Sequence, residues 1–136
     1  MSGEISPLAA SLNVALGGAV GSVLRYHAGR LLGGFAGANN DFPWGTLTVN
    51  ILGSLAMGVL VGWLARGSLD GSAEPLRLLI GVGLLGGFTT FSAFSAEMVA
   101  MLHRGQPGLA VGYAAASLIA GMAAMILGLL AAQSVT

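Results

Sequence analysis

Leu78-Leu79-Ile80-Gly81-Val82-Gly83-Leu84-Leu85-Gly86-Gly87-Phe88-Thr89-Thr90-Phe91-Ser92-Ala93-Phe94-Ser95-Ala96 runs from Arg77 to Glu97 without an ionisable side chain. Such a window reaches the roughly 19–20 residues that carry an α-helix across a bilayer. Its second half is an unusual choice for lipid. Each glycine weakens a helix by about 1 kcal/mol relative to alanine, and hydroxyls in hydrocarbon are costly unless they find partners. Phe91 and Phe94, three residues apart, share a helical face with Ser95 one turn beyond Phe91. A breakable, polar, aromatic segment at membrane depth fits a path for a solute better than packing alone.

Three further windows flank this one. Ile5 to Leu24 ends at Arg25, Phe42 to Ala65 lies between Asp41 and Arg66, and Gly105 to Thr136 carries no charge. Only 7% of the 136 residues are charged, 55% are hydrophobic, and mean hydropathy is +0.86. Soluble domains average about 25% charged. The reading is all-α and integral to the membrane, one four-helix transmembrane domain with helices at about 8–32, 43–65, 75–103 and 107–132. Pro43 and Pro107 suit first helical turns, and Gly33-Gly34 reads as a stop for helix one. The leader Met1-Ser2-Gly3-Glu4 has an acid and no base, which argues against a secretion signal. Zero cysteines exclude disulfides and thiolate metal sites, and a net charge of zero gives no basic patch for nucleic acid. No nucleophile–base constellation suggests an enzyme.

Arg66 and Arg77 fall on the side of both termini, against Arg25, Arg30 and Arg104 on the other. That balance leaves two readings under the positive-inside rule. Either helix one sets a single orientation, or copies insert both ways up and pair as an antiparallel dimer. Small residues recur at spacing four, as Gly17, Gly21, Gly29 and Gly33 in helix one, Ser54, Gly58 and Gly62 in helix two, and Gly108 and Gly112 in helix four. Such stripes let helix backbones approach closely. Four spans enclose little interior, so self-association is expected.

The polar residues follow faces. Thr46, Asn50 and Ser54 stand at i, i+4 and i+8 on helix two, and Tyr113 and Ser117 repeat the spacing on helix four. An unwound helix three at Gly86 to Thr89, broken at mid-membrane, would free carbonyl oxygens able to hold an ion. Aromatic ring edges carry partial positive charge. No acid lies in mid-membrane to relay cations, and Arg25 would place positive potential at a mouth. Together these favour an anion or a small neutral solute. His27 and His103 read as interfacial, and Glu97 as a capping or interfacial acid.

Three motifs then resemble one known family. Gly17-Gly18-Ala19-Val20-Gly21-Ser22-Val23-Leu24-Arg25-Tyr26, Pro43-Trp44-Gly45-Thr46-Leu47-Thr48-Val49-Asn50-Ile51-Leu52-Gly53 and Gly86 through Glu97 are similar, in order and over nearly the whole chain, to the Fluc/CrcB fluoride channels. The resemblance implies a fluoride-selective channel for passive export from the cytoplasm, built as an antiparallel dual-topology homodimer in the cell membrane. It implies a fluoride pore lined by Asn50, Phe91, Phe94, Ser92, Thr46, Ser117 and Tyr113, with Arg25 in a vestibule and Glu97 near a pore end. It also implies a structural sodium ion, Na+, at the dimer interface on the backbone carbonyls of Gly86 and Thr89. Many members carry threonine where this chain has Ala93, so one hydroxyl is missing. A small dual-topology multidrug exporter is the rival, but it should show a carboxylate in helix one, and Ile5 to Leu24 has none. A structural membrane subunit is the other, but it gives no reason to align Thr46, Asn50 and Ser54.

Overall fold

A computed structural model of the chain describes residues 5–35, 41–67 and 73–135. The leader Met1 to Glu4 and parts of the loops expected at 33–41 and 67–73 lie outside the described residues. The described chain is helical throughout its long elements. It comprises α1 (Pro7–Phe35), α2 (Trp44–Leu64), a composite third span and α6 (Pro107–Ser134). Within the third span, α3 (Ala73–Leu76) leads into a π-helical segment (Arg77–Leu85), then α4 (Gly86–Phe88) and α5 (Phe91–His103). Four stretches are long and apolar enough to cross a membrane, namely Pro7–Gly34, Trp44–Leu64, Ala73–His103 and Pro107–Ser134. The molecule is a multi-pass membrane protein.

α1 continues through Gly33 and Gly34, where the sequence suggests a stop. In an apolar medium a backbone hydrogen bond has no aqueous competitor, and this outweighs the glycine cost. Two helix pairs form the frame. α1 lies on the π-helical segment so closely that a β-carbon at Gly17 would overlap the Leu79 carbonyl oxygen. α2 and α6 cross in the same way, with Gly58 against the Met125 carbonyl and Gly128 against the Leu55 carbonyl. The stripe expected at Gly108 and Gly112 meets no described atom within 4 Å. Gly128, further along α6, makes the close crossing instead.

The buried core is small and lies near one end of the bundle. Leu47, Met101, Ala110 and Tyr113 form its main cluster, with Phe42, Phe94 and Met98 packed around, and Val49, Leu60 and Leu85 are buried outside it. Many other large side chains face outward, including Leu118, Ile119 and Phe91. That distribution suits a solvent of lipid tails, where an exposed leucine carries no penalty.

Candidate functional site

Two consecutive threonines organise the site. Thr89 (φ −82°, ψ 157°) and Thr90 (φ −151°, ψ 123°) are extended between α4 and α5. The Thr89 N–H and hydroxyl both donate to the Leu85 carbonyl, at 3.0 and 2.9 Å, and close the incoming helix on itself. Thr90 opens the next one, since its hydroxyl accepts from the Ala93 N–H at 3.2 Å as an N-cap. With α4 ended at Phe88, the Thr90 N–H has no helical acceptor. Asn50 brackets this peptide, accepting from the Thr90 N–H at 2.8 Å and donating to the Thr90 carbonyl at 3.1 Å, the carbonyl that as N-cap also opens the α5 ladder. Gly53, one turn along α2, leaves room for the Thr89 methyl, which a β-carbon would overlap.

An open groove of about 620 Å³ lies between α2, α5 and α6. Asn50, Ser54, Thr90, Phe91, Phe94 and Ser117 line its polar and aromatic end, and Met57, Met122 and Met125 lie along the rest. The Ser117 hydroxyl is buried and has no hydrogen-bond partner among the described residues. A buried hydroxyl in that condition calls for a ligand or water. Phe91 and Phe94 stand with ring centroids 5.7 Å apart and planes inclined at 35°. Phe91 is 79% exposed, so Phe94 is the better-held member of the pair.

A second cavity, of about 280 Å³, is lined by Arg25, Arg30, Thr46, Thr90 and Ala93 among others. Thr90 therefore borders both spaces. Arg25 donates through Nε to the Gly87 carbonyl at 3.0 Å, which anchors its guanidinium beside the Thr89–Thr90 crossover. The position at which the hydroxyl is missing, Ala93, faces this second cavity.

Thr46, Ser92 and Tyr113 are not lining residues of the groove. Thr46 donates to one Glu97 carboxylate oxygen at 2.6 Å and Tyr113 to the other at 2.7 Å. Glu97 is thus half-buried and tied to α2 and α6, where the sequence suggests a capping or interfacial acid. Ser92 lies 3.3 Å from the Thr90 hydroxyl, and Ser95 turns back to the Phe91 carbonyl. The aligned stripe Thr46–Asn50–Ser54 accordingly serves two spaces, because Thr46 borders the smaller cavity while Asn50 and Ser54 border the groove.

Gly86 opens α4 and Thr89 follows it, the two positions expected to offer carbonyls to a cation. The Thr90 N–H that would close a helical turn onto the Gly86 oxygen is held by Asn50 instead. Neutral backbone oxygens at the negative end of a helical segment fit a hard monovalent cation. No group of three or more His, Cys, Asp or Glu side chains able to hold a metal occurs among the described residues.

Thr90, Gly53 and Phe42 carry roles that sequence spacing does not single out. Thr90 sits within a quoted motif, so only its partners were hidden. Phe42 lies before the first turn of α2, and its ring reaches Tyr113 from a loop with no periodicity to flag it.

Residues 12–129 match the family described as CrcB-like protein, Camphor Resistance (CrcB). The chain is also similar to proteins named Fluoride-specific ion channel FluC. The one from Novosphingobium aromaticivorans is 57% identical over 122 residues, covering 90% of this chain and 94% of that protein. The one from Erythrobacter litoralis is 53% identical over 128 residues, covering 93% of each. The one from Thermus thermophilus is 50% identical over 117 residues, covering 86% of this chain and 90% of its own.

Proposed function

Because the chain belongs to the CrcB family, we propose that it is a fluoride-selective channel that lets the anion leave the cytoplasm passively. The observation that carries this reading is the convergence of the buried Ser117 hydroxyl, the Asn50 amide and the Phe91–Phe94 pair on one groove. Fluoride is small and strongly hydrated, so a pore must replace water with donors. Ser117 brings an O–H, and Asn50 keeps the second N–H of its amide beyond the one held by Thr90. Ring edges of Phe91 and Phe94 add weak positive charge, and the N-terminus of α5 beside them adds its dipole.

Arg25 and Arg30, in the smaller cavity, raise the local anion concentration ahead of this path. Thr46 and Tyr113 have their protons directed at Glu97, so toward an ion they act as the wall that fixes the carboxylate rather than as donors. An inside-negative potential drives a monovalent anion outward with about 2.3 kcal/mol per 100 mV. The third span is read as discontinuous within the membrane, its crossover at Thr89–Thr90 joining the two cavities.

The functional unit is read as an antiparallel homodimer. One chain leaves Phe91 and the outer faces of α1 and α6 uncovered, and a second copy would close the open side of the groove. Backbone carbonyls of Gly86 and Thr89 from each copy would hold sodium, which supplies fixed positive charge at the centre. Expression in fluoride-sensitive cells that lack their own exporter tests the function. Growth at otherwise inhibitory fluoride is expected, and no gain in tolerance from a membrane-inserted protein overturns it.

A further inference from the structure

We infer that Phe42 is a positioning residue for conduction, acting through Tyr113 on the ring of Phe94. The inference rests on the channel reading above. Phe42 does not line the groove, and neither does Tyr113. Yet the rings form an unbroken series from the loop to the pore. Phe42 meets Tyr113 edge-on at 5.4 Å and 79°, Tyr113 meets Phe94 at 5.0 Å and 48°, and Phe94 meets Phe91 at 5.7 Å.

Tyr113 is the fixed link. Its side chain is fully buried, and its hydroxyl is held by Glu97. A ring pinned at its hydroxyl can still tilt about that point, and Phe42 is the neighbour whose plane stands close to a right angle to it. Aromatic pairs in this geometry favour one orientation over others by amounts that matter for a narrow path. Within one chain Phe94 is the held ring of the pair, and Tyr113 is the ring that meets it.

Phe42 is itself held from outside the apolar cluster. The neighbouring Asp41 accepts from the Gln106 amide at 2.8 Å, and Gln106 accepts from Arg104 at 3.1 Å. The Trp44 N–H donates to the Phe42 carbonyl at 2.9 Å, closing a tight turn at Pro43. A short strap before α2 is therefore fastened over the α5–α6 turn, and it carries the ring that steadies the pore aromatics.

The test places 4-fluorophenylalanine at position 94 and reads its fluorine resonance together with fluoride efflux from liposomes. Phe42→Leu should shift or broaden the resonance and lower efflux about tenfold, while Phe42→Tyr, which keeps the ring, restores both. Gln106→Glu, which repels Asp41 without touching the apolar cluster, should move the resonance in the same direction if Phe42→Leu fails to fold. An unchanged resonance in Phe42→Leu and Gln106→Glu overturns the inference, as does normal efflux from a Phe42→Leu channel whose resonance has moved. If the unsubstituted protein passes no fluoride, the channel reading fails, and the resonance alone decides whether Phe42 sets Phe94.

Discussion

Asn50 grips the backbone of Thr90 with both ends of its amide. The Thr90 N–H can only donate, so it fixes which end of the amide is oxygen. Asn50→Asp would keep the acceptor and lose the donor, turning one carboxylate oxygen toward the Thr90 carbonyl. That exchanges a hydrogen bond worth about 0.5–1.5 kcal/mol for a repulsion between two oxygens. We expect Asn50→Asp to lower the unfolding midpoint in detergent and to cut fluoride efflux severely. An Asp variant with unchanged stability would show that the amide pair does not hold the crossover. At the same scale, the sequence points to Asn50 as a groove-lining residue but not to its hold on Thr90. Its alignment with Thr46 and Ser54 marked a polar face, whereas its partner is a main-chain group 40 residues away, and no spacing rule encodes that separation.

Among the elements, the α2–α6 crossing depends on two glycines facing each other's backbone, and a methyl at Gly128 would meet the Leu55 carbonyl. Forcing extra atoms into a packed contact costs about 1–3 kcal/mol. Gly128→Ala should therefore destabilise the protein by that amount in detergent unfolding. Gly112→Ala, with no described atom within 4 Å, should be neutral or mildly stabilising through helix propensity. Equal losses in both would mean that α6 packs on another face.

Span positions were legible in the sequence because charge is excluded from hydrocarbon, so windows between ionisable residues mark them directly. The crossover was legible only in part. Glycine density drew attention to Gly86 and Gly87, but these remain helical, and the extended residues are Thr89 and Thr90. A glycine merely permits a bend. Asn50 and the threonine side chains specify one, by offering the backbone alternative partners. The Glu97 contacts to Thr46 and Tyr113 and the ring series from Phe42 were illegible, because each joins segments far apart in the chain through side chains alone.

For the whole molecule, the antiparallel pairing proposed above requires copies inserted both ways up, which the near balance of arginines across the two faces would allow. A reporter fused to the C-terminus should be detected on both faces of the membrane. Detection on one face only would contradict the antiparallel pairing while leaving the groove of each chain as described. Conduction of fluoride is read out by purified protein in liposomes loaded with fluoride or chloride. A channel of this kind gives fast, potential-driven fluoride efflux with chloride retained; liposomes that hold their fluoride, or release both anions alike, would show that the protein is not one.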